Sequence, residues 1–121
     1  MNLMLVMEYD ESFQDLFDFV NERGKLSEEI AQSIFSQLVT TVHQFNKYEV
    51  FHSDLKDENI LVHSDRNSEE YKIKIIDFGS GQKLHENLYR SFSGTLIYAP
   101  PEWLILRLFY LLTLLYSTLI F

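Results

Sequence analysis

Cysteine is absent from the 121 residues, so neither a disulfide framework nor a thiolate zinc site can be built. Basic residues are scarce: 10 Lys and Arg stand against 18 Asp and Glu, a net charge of −8. That balance argues against a nucleic-acid-binding surface and suits basic peptides, or phosphates bridged through a metal. The first ten residues lack a basic stretch and a small-residue cleavage site, so no secretory signal is expected. The expected address is cytoplasmic, with the nucleus as the alternative. No internal repeat occurs. What is present, 46% apolar residues in 121, is enough for one globular domain with a moderate core.

Along the chain, residues 3–7 form a short apolar run that reads as a buried strand leaving into a polar connection at Glu8-Tyr9-Asp10-Glu11. Between residues 14 and 23, Leu16, Phe17 and Val20 fall at helical spacing, and Gly24 supplies a stop. Ser27 is a good N-cap, with Glu28 and Glu29 in the first turn where the helix dipole favours them. The helix it opens carries Ile30, Ile34, Leu38, Val42 and Phe45 in one stripe, with Phe35 and Val39 beside it. So wide an apolar face predicts a core helix.

After Val50 and Phe51 comes a polar loop, His52-Ser53-Asp54-Leu55-Lys56-Asp57-Glu58-Asn59. Residues 60–62 and 71–76 then flank a polar turn, and Lys72 and Lys74 alternate with Ile73 and Ile75 at the period of a half-buried strand. The two runs predict a hairpin carrying Asn59 at one end and Asp77 at the other, 18 positions apart in sequence but neighbours in space. From Gly79 to Ser93 no period is visible, which suits a loop. Residues 104–121 are almost wholly apolar, with Arg107 as their one charge.

Asp54, Asn59 and the later Asp77-Phe78-Gly79, in that order and with a hairpin between, resemble a eukaryotic protein kinase. The resemblance covers residues 1–103, from the hinge strand to the end of the activation segment. It is nearest to the PIM serine/threonine kinases, through Gln14-Asp15-Leu16-Phe17-Asp18-Phe19, Lys56-Asp57-Glu58-Asn59-Ile60-Leu61, Ile76-Asp77-Phe78-Gly79-Ser80-Gly81 and Pro100-Pro101-Glu102-Trp103. It implies an α+β kinase-like fold, mainly the helical C-terminal lobe, and ATP- and Mg²⁺-dependent phosphorylation of protein Ser or Thr. By the same resemblance Asp54 orients the substrate hydroxyl and Lys56 neutralises charge on the γ-phosphate. Asn59 and Asp77 ligate Mg²⁺, a hard ion suited to such oxygens, and His52 and Phe78 pack beneath the site. Met7 takes the gatekeeper position, Glu8 and Asp10 face the adenine edge, and Leu61 and Ile76 line its floor. Asp10 stands where the PIM group has proline, which restores a backbone N–H. Thr95 hydrogen-bonds near the base and the lysine. Asp15, Asp18, Asp57 and Glu58 match positions that receive arginine-rich protein substrates.

The pattern also breaks. Ser53 replaces the arginine that usually follows the catalytic-loop histidine, so control through a loop phosphate at this residue is not expected. The 121 residues contain no G-x-G-x-x-G loop and no strand lysine of the V-A-I-K type. ATP is then expected to have half a pocket, and activity to be impaired. The alternative is a non-catalytic, kinase-derived binding module. Residues 104–121 depart from the family and carry no acidic residue to anchor the catalytic loop. Three readings of them stand: a truncated or misassembled gene product, a membrane anchor about 27 Å long as a helix, and a core or partner-binding segment. Membrane contact is expected only through these residues.

Overall fold

The structure is a computed structural model that describes residues 4, 6–64, 70–84, 91–99 and 101–106. Strand β1 (Phe13–Asp15) leads straight into helix α1 (Leu16–Arg23), followed by α2 (Glu28–Lys47) and β2 (Val50–Phe51). The hairpin β3 (Ile60–Ser64) and β4 (Tyr71–Ile75) comes next, then β5 (Gln82–Lys83) and α3 (Pro101–Leu106). Short 3₁₀ turns at Asp57–Asn59, Phe78–Ser80 and Leu96–Tyr98 punctuate the loops.

A three-stranded antiparallel sheet in the order β1-β3-β4 is the frame of the molecule. Its register pairs Phe13 with His63, Ile60 with Ile75 and Val62 with Ile73. Side chains alternate across a strand, so Ile60, Val62, Ile73 and Ile75 share one face while Leu61, His63, Lys72 and Lys74 share the other. The first face closes on α1 and α2: Phe19, Ile34 and Val62 form the core, with Leu16, Leu26, Ile30, Tyr71 and Ile73 against them. The Arg23 guanidinium lies 4.5 Å from the Phe19 ring centroid and donates to the Ser64 hydroxyl at 3.3 Å, sealing this core at the end of α1.

α2 begins where its cap predicts, with the Ser27 Oγ accepting from the Ile30 N–H at 3.4 Å. Its stripe is sided as expected at Ile34 and Leu38, which are buried, but Phe35 and Val39 are exposed at 44% and 40%. The apolar face is wider than what the described residues lay against it. Gly24 follows α1 with φ of 72°, a conformation natural to glycine.

Two expectations need correction. The helix expected from residue 14 starts at Leu16, because Phe13, Gln14 and Asp15 pair with β3 and the Asp15 carboxylate caps the helix, accepting from the Asp18 N–H at 2.8 Å. Met4, Val6 and Met7 are not a buried strand: they are 85%, 85% and 72% exposed. A strand needs a neighbour for its backbone groups, and among the described residues none pairs with them. The domain boundary expected at residue 103 falls inside α3, and residues 107–121, with the readings attached to them, lie outside the described part. No helix among the described residues is long and apolar enough to cross a membrane.

Candidate active site

The loop between β2 and β3 is held from both sides. Val50 and Phe51 pair with Lys83 and Gln82 in a two-stranded sheet, extended by the Leu84 N–H to Glu49 C=O bond at 2.8 Å. This pairing lies within the stretch that sequence reads as an irregular loop. A two-residue polar strand has no period to detect.

At the loop's start His52 is buried at 2%. Its Nδ1 accepts from the Asp54 N–H at 3.3 Å, which leaves Nε2–H to donate to the Ile76 carbonyl at 2.9 Å. One ring therefore ties the His52–Asn59 loop to the residue preceding Asp77. The Phe78 ring packs on it at 4.6 Å between centroids, with Phe45 of α2 behind at 5.2 Å from Phe78. Ser53 follows at φ 69°, a left-handed conformation costly for a side-chain-bearing residue. It is buried, and its Oγ accepts from the Gln82 Nε2 at 2.9 Å.

At the loop's end Asn59 is also buried, and its Nδ2 donates to the Asp54 carbonyl at 2.8 Å. With the nitrogen committed there, the amide oxygen has no hydrogen-bond partner among the described residues. The Ile76 N–H donates to the Asn59 carbonyl at 3.0 Å, so Asn59 and Asp77 sit at the same end of the β3–β4 ladder. Asp77 adopts φ 62° and accepts through Oδ1 from the Gly79 N–H at 3.0 Å. An amide oxygen and a carboxylate are hard donors, and two such ligands completed by water and phosphate oxygens fit Mg²⁺. Among the described residues no group of three His, Cys, Asp or Glu could hold a metal.

The Asp54 carboxylate is engaged: its Oδ1 accepts from the Thr95 N–H at 2.7 Å. Thr95 thus reaches Asp54, through its main chain. The approach is close enough that a Cβ at Gly94 would collide with the Ser53 carbonyl. Lys56 is drawn to Glu58, with 3.1 Å between ammonium and carboxylate, and this contact raises its pKa. Asp57 accepts from the Tyr98 hydroxyl at 2.8 Å, and that bond pushes the Tyr98 pKa up to about 12. Tyr98 carries no signal in sequence, standing 41 positions from its partner.

The remaining expected residues are not gathered at one point. Leu61 is half-buried on the face away from the core, and Ile76 is 36% exposed beside it. Phe13 joins that face, its ring tilted against His63 at 5.2 Å between centroids and covered by the Lys74 ammonium at 4.5 Å. Met7, Glu8 and Asp10 are all exposed. Glu8 reaches Lys74 at 3.8 Å. The Asp10 carboxylate accepts from the Ser12 hydroxyl at 2.6 Å and from its N–H at 3.0 Å, and the hydroxyl bond is the main cause of a lowered pKa. Asp15 and Asp18 stand at the start of α1, which packs against the 3₁₀ turn bearing Asp57 and Glu58.

Comparison with known proteins identifies the family. Residues 1–110 match the family described as Protein kinase domain. The chain belongs to the protein kinase family. It is 40% identical over 111 residues to the serine/threonine-protein kinase pim-2 of Danio rerio, covering 92% of this chain and 34% of that protein. The serine/threonine-protein kinase prk-2 of Caenorhabditis elegans is 41% identical over 106 residues, or 88% of this chain and 23% of its own length. The PAS domain-containing serine/threonine-protein kinase of Mus musculus is 42% identical over 102 residues, 84% of this chain and 7% of the relative. The chain spans about a third or less of these relatives, and the PIM-like character read from its motifs is upheld.

Proposed function

We propose that the chain supplies the catalytic-loop half of an ATP- and Mg²⁺-dependent, PIM-like serine/threonine protein kinase, chiefly from the helical lower lobe. The observation that carries this is the double tie of His52 and Asn59 to Ile76. It holds the loop bearing Asp54 and Lys56 against the turn bearing Asp77.

In this reading Asn59 and Asp77 hold Mg²⁺, which when bound neutralises the phosphate oxygens of the nucleotide. Asp54 accepts a hydrogen bond from the substrate hydroxyl and fixes its direction of attack. Lys56 leaves Glu58 for the phosphate being transferred, exchanging one anion for another. Leu61 and Ile76 form the apolar floor under the adenine, while Met7, Glu8 and Asp10 border it. Asp15, Asp18, Asp57 and Glu58 face an arginine-rich protein substrate, where carboxylate–guanidinium pairs form in fork geometry. The setting proposed is the cytoplasm.

The 121 residues contain no strand lysine to meet the nucleotide phosphates. Removing one electrostatic donor of this kind costs ~10²–10³ in rate, so transfer by these residues alone is proposed to be slow. A second reading, a binding module without catalysis, draws support from the occupied state of the site: Asp54 is held by Thr95 and Lys56 by Glu58. Nucleotide-dependent thermal shift separates the two. A rise in Tm that needs both ATP and Mg²⁺ and disappears in Asp77→Ala is expected. No shift in the parent chain would remove the nucleotide-binding reading and leave the binding module.

A further inference from the structure

Ser53 stands in a conformation that a side-chain-bearing residue seldom keeps without support. Its φ is 69°, it is buried, and it directly precedes Asp54. A left-handed residue persists only where its neighbours over-determine it, so whatever holds Ser53 also sets the direction in which the chain delivers Asp54. A polar side chain reaches it from β5: the Gln82 Nε2 donates to the Ser53 Oγ at 2.9 Å. Register brings Gln82 there, because β5 sets it opposite Phe51, two residues ahead of Ser53.

Gln82 also follows Asp77 by only five positions. The turn between them is drawn tight by the Gly81 N–H, which donates to the Phe78 carbonyl at 2.8 Å. On the other flank the Thr95 N–H binds the Asp54 carboxylate at 2.7 Å, and two residues earlier the Ser93 carbonyl accepts from the Ser80 Oγ at 2.9 Å. Ser53 and Asp54 are thus gripped as a pair. Gln82 holds the first by its hydroxyl, Thr95 holds the second by its carboxylate, and Ser80 fastens the two grips to each other. We propose that Gln82 is a positioning residue: bonded to the Ser53 hydroxyl, it holds the left-handed turn that aims Asp54 and couples that aim to the turn bearing Asp77. The proposal rests on the phosphoryl-transfer reading for what Asp54 does, while how Asp54 is held is independent of it.

In the full chain, Gln82→Leu keeps bulk on β5 and loses the amide, and Ser53→Gly loses the hydroxyl while taking a positive φ freely. Amide hydrogen exchange followed by NMR reads the hold on Asp54 without any nucleotide. Gln82→Leu is expected to speed exchange of the Thr95 N–H by about tenfold, the size of one hydrogen bond in a local opening. The Leu84 N–H, bonded to the Glu49 carbonyl beside the β2–β5 pair, is expected to stay near the parent rate. Equal speeding at both amides would mean that Gln82 merely holds β5 and would overturn the proposal, as would an unchanged rate at Thr95. The double variant is expected to exchange no faster than the quicker single one; multiplied effects would show that the two side chains act apart, against the proposal. With Mg·ATP and an arginine-rich serine peptide, kcat of Gln82→Leu is expected to fall by about tenfold or more at constant peptide KM. A raised KM at constant kcat would count against a positioning role. A parent chain that transfers no phosphate would defeat the reading of Asp54 alone, and the exchange rates would still decide whether Gln82 holds it.

Discussion

The His52–Asn59 loop and the segment that precedes β1 are both irregular connections, yet they are opposite in how they are held. Between Phe51 and Ile60 the backbone twists through a left-handed Ser53 and buries a histidine, a serine and an asparagine, and each of those side chains finds a hydrogen-bond partner within the chain. Residues 6–10 are exposed throughout, and among the described residues they are tied by Glu8 to Lys74 and by the turn at Asp10. The loop is over-determined by its own neighbours. The hinge-like segment depends on whatever else comes to lie against it.

That contrast can be broken or sharpened by experiment. The largest effect is expected for His52→Ala, which strips partners from the Asp54 N–H and the Ile76 carbonyl, both part-buried. Each group left unpaired costs about 1–3 kcal/mol, and urea unfolding reads the loss. Asn59→Ala is expected next, at about 1–3 kcal/mol for the orphaned Asp54 carbonyl; an unchanged midpoint would show that the loop is not pinned from its C-terminal end.

Tyr98→Phe acts through pH. The Tyr98 pKa is raised to about 12, from an ordinary value of 10.0, chiefly by its bond to Asp57. A raised value means that the folded state keeps a proton the unfolded state gives up. The contribution is therefore whole below pH 10 and is lost as pH climbs from 10 to about 12. The parent should lose stability across that window more steeply than Tyr98→Phe, as followed by thermal melts at each pH. Smallest of all, Met7→Ala and Glu8→Gln are expected to shift stability by less than about 0.5 kcal/mol. A loss comparable to that of His52→Ala would mean that the exposed segment is held as firmly as the loop.

Sequence was most informative where structure is local. Ser27 and the apolar stripe define α2 because capping and helical period are properties of adjacent residues, and the alternation of Lys72 to Ile75 defines β4 in the same way. It failed where a distant partner decides. Gln14 and Asp15 fall in a stretch that reads as helical but are claimed by β3, which overrides local preference. Gln82 and Lys83 become a strand only because Phe51 and Val50 lie opposite. The order of Asp54, Asn59 and Asp77 and the approach of Thr95 to Asp54 could be expected from the family resemblance, whereas the bond from Tyr98 to Asp57 answers to tertiary contact alone.

Gly94 shows how narrow that tertiary tolerance is. Its backbone passes so near the Ser53 carbonyl and the Asp54 carboxylate that no β-carbon can be accommodated without displacing main chain. In a saturation library scored for soluble, Mg-nucleotide-responsive protein, that codon should stand out as intolerant even of alanine. The few survivors should carry second-site changes in the turn facing it, a genetic record of two strands of backbone brought almost into touch.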